Sequence, residues 1–311
     1  MDADNKPVVG IIGLGIMGMS YARNLRESGF DVVGYDVAAA SMEALAVVGG
    51  VPAASPADVG AKADVVLIAL ASIKALETVC VGEAGLAKTL RKGSVVAEMG
   101  TLPLVAKEHC KAWLEPLGVE VLDCPVSGTG AQAAVRDLVI YASGAEAVVE
   151  KIRPVFDGFA RNTRYVGPFG AGIKLKFIAN LLVTIHNLAA AEALVLADKS
   201  GLDLNMVFDA VRDGAGNSRM FEVRGPLMIA ERYQPATMKM DVYMKDLTLI
   251  TDFAHQMKAP TPLMAASVPY YVAALAQGRD ADDTAALFSV LKDMARPAGA
   301  PAAATTDPKA A

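Results

Sequence analysis

Up to about residue 166 the chain alternates short apolar runs with helix-like segments. The runs are 7–13 (PVVGIIG), 31–36 (DVVGYD), 64–70 (DVVLIAL), 94–99 (SVVAEM), 119–124 (VEVLDC) and 137–143 (DLVIYAS). Several are almost continuously apolar, as parallel strands buried on both faces must be. Segments 17–29 and 38–48 lie between them and read as helices. This alternation predicts a doubly wound α/β sheet. After Gly167-Pro168-Phe169-Gly170 the pattern changes, and no strand is expected from 171 to 296. Residues 172–200 read as one helix of about 45 Å at the standard rise, ending before Gly201. Further helices are expected near 204–213, 217–231, 238–258, 261–277 and 282–295. The predicted organisation is an α/β domain over 1–167 and an all-helical second domain over 168–296. A low-complexity Pro- and Ala-rich tail over 297–311 is expected to be disordered.

Composition narrows the function classes. The 311 residues are 53% hydrophobic and carry a formal charge of -5. A mildly acidic chain lacks the concentrated Lys and Arg that phosphate backbones require, so nucleic acid is not expected as a partner. The most apolar stretch, 177–197, contains Asn180, His186, Asn187 and Glu192, which fits a buried helix and no membrane span. The N-terminus shows no signal-peptide pattern. Cys80, Cys110 and Cys124 are too few and too widely spaced for a disulfide framework or a metal knuckle and read as core thiols, in keeping with a cytoplasmic protein. His109, His186 and His255 lack metal-ligand spacing, and no metal is expected.

Chemistry enters at residues 8–18, VVGIIGLGIMG. Gly13, Gly15 and Gly18 form G-x-G-x-x-G between a strand and a helix. The first glycine allows the tight turn, the second lets a pyrophosphate approach the backbone, and the third lets helix and strand pack closely. Leu14, Ile16 and Met17 complete the turn, whose free N–H groups and positive helix end suit phosphate. Three glycines alone are a weak signal, and on them alone FAD stays open. Here a second strand follows and ends at Asp36, where a carboxylate would accept hydrogen bonds from a ribose 2′-OH and repel a 2′-phosphate. No Arg or Lys lies between Asp36 and Lys62. A Rossmann-type domain that prefers NAD to NADP is the reading.

Downstream, Asp123-Cys124-Pro125-Val126-Ser127-Gly128-Thr129-Gly130 forms a small polar turn after a strand, where open α/β sheets bind ligands. Its amides and the Ser127 hydroxyl could hold a carboxylate, although an ordinary connecting loop has the same composition. Lys176 and Asn180 lie one turn apart on the long helix, with Asn187 on roughly the same face. Polar groups on an otherwise apolar helix need partners, which a substrate cleft would supply. Asp241 to Leu247 reads on pattern alone as a solvated charged face.

Together these segments resemble the β-hydroxyacid dehydrogenase family. VGIIGLGIMGMSYARNLRESGFDVVGYD resembles its N-terminal signature, including Met17, Gly18 and Asn24. DCPVSGTGAQAA resembles its substrate-binding loop, GAGIKLKFIANLL its catalytic helix, and Lys245-Asp246-Leu247 its late lysine motif. The likeness covers about residues 7–295. It implies that Lys176 is the general acid/base and Asn180 a positioning residue. It implies carboxylate-binding roles for Ser127 and Gly128 and puts Lys245 near nicotinamide and substrate; beside them the Thr129 side chain would narrow the substrate pocket or add a hydroxyl contact. Thr101, Leu70 and Ala71 would contact the cofactor. A homodimer or homotetramer is implied as well. Thr129 stands where the family usually has Gly, Ala71 where it has Pro, and Glu98 and Gly100 where Asp and Ser are commoner.

The expected activity is reversible hydride transfer between NAD and a small β-hydroxyacid such as 3-hydroxyisobutyrate, glycerate or threonate. Lys176 can take the hydroxyl proton only if desolvation and the positive nicotinamide ease its deprotonation. Two alternatives are an imine reductase on the same scaffold and a non-catalytic NAD(H)-binding module. Relatives of the first kind usually replace the lysine, and the second would be expected to lose Lys176 or Asn180.

Overall fold

The computed structural model describes residues 6–296; the tail expected to be disordered lies outside the described residues. The strands are β1 (Val9–Ile12), β2 (Val32–Tyr35), β3 (Val51–Pro52), β4 (Val65–Ile68), β5 (Val95–Glu98), β6 (Glu120–Asp123), β7 (Val126–Ser127), β8 (Val139–Ala142) and β9 (Asn162–Tyr165). The helices of the same region are α1 (Ile16–Glu27), α2 (Ala39–Val47), α3 (Pro56–Lys62), α4 (Ile73–Val81), α5 (Leu104–Leu114), α6 (Gly130–Ala134) and α7 (Glu146–Asp157). They are followed by α8 (Ala171–Lys199), α9 (Leu204–Arg212), α10 (Arg219–Ile229), α11 (Met240–Gln256), α12 (Pro262–Ala276) and α13 (Leu287–Met294).

The first six strands form a parallel sheet in the order β3-β2-β1-β4-β5-β6. That is the strand order of a dinucleotide-binding fold, whose crevice opens where the order reverses beside β1. Successive residues of a strand face opposite sides. Val9, Ile11, Val65, Leu67, Val95 and Ala97 pack on one face with Tyr21, Leu25, Phe156 and Phe159. Ile12, Val66, Ile68 and Val96 pack on the other with Val59, Leu76, Cys80, Cys110 and Leu114. All three cysteines are free and buried, and the Cys80 and Cys110 sulfurs lie 3.5 Å apart.

One expected strand sits elsewhere. The run 137–143 becomes β8, which belongs to a separate sheet of order β7-β8-β9. β7 pairs with it antiparallel and β9 parallel. The cause is local: Asp123 and Ser143 exchange both backbone hydrogen bonds at 2.9 Å in an antiparallel bridge. That pairing ends β6 and starts a new sheet.

The chain divides by its contacts into a unit ending at Ala179 and a unit starting at Asn180. The division falls inside α8, twelve residues beyond the boundary expected at 167/168. The reason is that the first turn of α8 is bonded to the sheet unit, through Gly172 N–H to Ser143 Oγ (3.0 Å) and Ile173 N–H to Asp123 Oδ2 (2.8 Å). The second unit is helical among its described residues. By length and composition α8 could cross a bilayer. Its polar positions Asn180, Thr184 and Asn187 are, however, buried and hydrogen-bonded inside the second unit, which is how a core helix is built.

Candidate active site

The glycine turn is built for close approach. Gly13 has φ +88°, and a Cβ there would lie 2.5 Å from Ala69 O. A Cβ on Gly18 would lie 1.8 Å from Gly13 O, so helix α1 is pressed directly on the turn. Gly15 is different: nothing stands within 4 Å of its missing side chain. It is also the N-cap of α1 and offers no side chain to the first-turn amides. Those amides therefore face open space suited to a pyrophosphate. Ile16 is exposed beside them, and Leu14 and Met17 turn inward.

Asp36 is fixed against this turn. Its Oδ2 accepts the Leu14 N–H at 2.7 Å and its Oδ1 the Ala38 N–H at 2.9 Å. It lines a cavity of about 550 Å³ together with Gly13, Tyr35, Leu70, Ser72 and Lys74. The cavity, the open side of Gly15 and the carboxylate fit a dinucleotide whose ribose hydroxyls meet Asp36. Lys74 is a residue that sequence reasoning missed. The sequence has no cation between Asp36 and Lys62, but α4 brings Lys74 to the cavity from further along the chain. Ala71 is exposed and Thr101 half-buried, each in the turn that follows its strand, β4 or β5.

The 123–130 loop packs on the same region. Gly128 has φ +141°, and a Cβ on it would meet Leu138 at 2.5 Å. Thr129 N-caps the short helix α6 in a reciprocal capping box with Gln132, whose Oε1 takes the Thr129 N–H at 3.0 Å. The side chain expected to narrow a pocket or touch substrate is thus engaged in folding the loop. Ser127 and Gly128 are left as the loop's carboxylate-binding candidates. Asn24 Nδ2 donates to Ala133 O at 2.8 Å, tying α6 to the cofactor helix α1.

In α8, Lys176 is half-buried and Asn180, one turn later, is buried. Asn180 Nδ2 donates to Asp246 Oδ2 at 2.9 Å. Lys245 Nζ lies 3.6 Å from the other oxygen of the same carboxylate. Asn180 and Lys245, 65 positions apart, therefore meet at Asp246, to which the sequence assigned no role of its own. Asn187 has a different fate from the one its spacing suggested. Its Nδ2 donates to Thr284 O (2.9 Å) and Tyr271 OH (3.2 Å) within the helical core. Asn187→Ala is therefore expected to cost about 1–3 kcal/mol of stability by orphaning buried acceptors. Urea unfolding should show that loss, and steady-state kinetics an unchanged KM for substrate.

A buried ion cluster lies at the ends of β5 and β6. Lys107 Nζ is 2.7 Å from Asp123 Oδ1 and 2.6 Å from Glu98 Oε2, and all three side chains are fully buried. Burial pulls the Lys107 ammonium down, but the carboxylates of Glu98 and Asp123 push it further up, so it stays charged. Burial raises Glu98, and Lys107 offsets that only in part. The main cause is removal of the carboxylate from water, to which the neighbouring Asp123 carboxylate adds a little. No periodicity marks these residues, because a lysine on an amphipathic helix ordinarily reads as surface.

Residues 8–167 match the family described as NAD binding domain of 6-phosphogluconate dehydrogenase, and residues 170–291 the one described as NAD-binding of NADP-dependent 3-hydroxyisobutyrate dehydrogenase. The L-threonate dehydrogenase of Cupriavidus necator is 34% identical over 93% of this chain and 97% of its own. Among solved structures, 3-hydroxyisobutyrate dehydrogenase from Salmonella typhimurium superposes with a TM-score of 0.81 at 32% identity, covering 92% of this chain and all of that one. Psf3 in complex with NADP+ and 2-OPP superposes with a TM-score of 0.81 at 26% identity, covering 91% of this chain and 99% of that one.

Proposed function

The chain belongs to the β-hydroxyacid dehydrogenase family, oxidoreductases acting on CH–OH groups, and from that premise we propose that it oxidises a small hydroxyacid with NAD, L-threonate being the leading substrate. The observation that carries this reading is the placement of Lys176. It follows by three residues the helix amide bound to Asp123, the residue that opens the Ser127 loop. When bound, nicotinamide accepts the hydride from the hydroxyl-bearing carbon. The hydroxyl proton passes to Lys176 Nζ. Asn180, held by Asp246, orients the hydroxyl. Ser127 and the Gly128 amide hold the carboxylate. The likeness to L-threonate dehydrogenase supports a four-carbon sugar acid, and exposed Leu182, Leu196 and Val272 support a homo-oligomer.

The cofactor preference rests on Asp36. A second reading, NADP, draws on Lys74 in the same cavity and on the neighbour solved with NADP+. Asp36 favours NAD, because its carboxylate is fixed at the turn and would repel a 2′-phosphate there. NADH or NADPH absorbance with a panel of three- to six-carbon hydroxyacids tests both points. L-threonate should turn over with kcat/KM at least about tenfold higher with NAD than with NADP. Asp36→Ala should narrow that ratio by about tenfold, roughly 1.4 kcal/mol of discrimination. No turnover with any hydroxyacid would sink the enzymatic reading, and a wild-type preference for NADP would sink the cofactor assignment.

A further inference from the structure

The Glu98–Lys107–Asp123 cluster joins three segments on which the proposed chemistry depends. Glu98 Oε1 accepts the Gly100 N–H at 2.9 Å, which shapes the turn leading to Thr101. Lys107 bridges Glu98 to Asp123, the first residue of the Ser127 loop. Asp123 Oδ2 accepts the Ile173 N–H at 2.8 Å and lies 3.1 Å from Ser143 Oγ. Ser143 Oγ in turn accepts the Gly172 N–H at 3.0 Å. The first turn of α8 is held so closely that a Cβ on Gly172 would stand 2.5 Å from Tyr141 O and 2.7 Å from Asp123 O. Lys176 follows Ile173 by three residues, about 4.5 Å along a rigid helix.

A buried ion cluster is a weak route to stability, since well-packed apolar groups of similar volume serve as well or better. What charged groups add is direction, because each oxygen is aimed at particular donors. We propose that Asp123, oriented by Lys107 and Glu98, is a positioning residue. It sets the register between the 98–101 turn, the Ser127 loop and the start of α8, and thereby places Lys176. The proposal rests on Lys176 being the general base. A misplacement of about 1 Å at such a group can cost about 10²-fold in rate.

Two triple variants that differ only at position 123 separate positioning from stability. Glu98→Gln/Lys107→Met/Asp123→Asn removes the charge and keeps a carbonyl oxygen able to accept the Ile173 N–H. Glu98→Gln/Lys107→Met/Asp123→Leu removes both. Each is assayed as the full chain with NAD and L-threonate for kcat, KM for NAD, and Tm. Assayed well below both Tm values, the variant with leucine should have a kcat at least about thirtyfold below the variant with asparagine, with a KM for NAD within about threefold and a Tm lowered only by the orphaned Ile173 N–H. Equal kcat values, or a deficit that closes as the assay temperature is lowered, overturn the proposal. Should either triple variant fail to fold, Ser143→Ala decides, since it leaves Glu98, Lys107 and Asp123 in place and removes the hydroxyl that links Asp123 to the Gly172 N–H. A roughly tenfold lower kcat with unchanged KM for NAD supports the proposal, and an unchanged kcat overturns it. Lys176→Ala measured alongside keeps the two readings apart. Wild-type turnover in that variant defeats the general-base assignment, whereas its loss together with equal triple variants defeats only the positioning role.

Discussion

Lys176→Ala is expected to lower kcat by about 10²–10⁴-fold while NADH binding stays within about twofold of wild type, because the substitution removes the proton acceptor and leaves the cofactor turn untouched. Lys176→Arg should be equally inactive. Guanidinium keeps the charge and the reach but does not give up its proton in proteins, so only a role in proton transfer predicts failure of both variants. If instead Lys176 served only to attract the substrate carboxylate, arginine would restore turnover and the defect of the alanine variant would lie in KM. Stopped-flow NADH binding and initial rates with saturating hydroxyacid distinguish these outcomes. A lysine-to-arginine variant with more than a tenth of wild-type kcat would refute the assignment.

The second large effect is expected at the turn. In Gly18→Ala the new methyl would sit 1.8 Å from Gly13 O, a backbone atom that cannot rotate away. Either α1 or the turn must shift by an ångström or more, and both define the phosphate site. NADH affinity should fall by at least about 100-fold, with about 1–3 kcal/mol of stability lost to overpacking. Gly15→Ala is the informative partner. Its methyl meets no protein atom, so thermal unfolding should match wild type, yet it projects into the space where the pyrophosphate would lie. Weak binding with a normal Tm at 15, against weak binding with a lowered Tm at 18, is the expected pair. A Gly18→Ala variant with wild-type Tm and affinity would contradict the close packing described here.

Much of this architecture is legible in the sequence because it depends on local signals. The six apolar runs all become strands, and each helix expected from residue 171 onward is present within a few residues. The misses have physical causes. β3 and β7 are two residues long, below the reach of any periodicity, and β9 (Asn162–Tyr165) is a polar strand identified only by its partner β8. The assignment of β8 to a second sheet depends on backbone bonds between Asp123 and Ser143, which no side-chain pattern encodes. At the site, the glycine turn, Asp36, Lys176 and Asn180 stand out because their spacing carries the chemistry. Lys107, Asp246 and Lys74 do not, because their partners come from distant segments. Thr129 reads as a pocket residue in the chain, and only the position of Gln132 three residues on shows it to be a helix cap.

The contact between Glu98 and Gly100 also constrains how such a site can change through descent. A side chain at 100 would begin 2.7 Å from Glu98 Oε1 and 2.4 Å from Leu70 O. Any side chain at 100 would have to displace both the Glu98 carboxylate and the backbone that follows β4, so exchange at this position is closed while its two neighbours stay as they are.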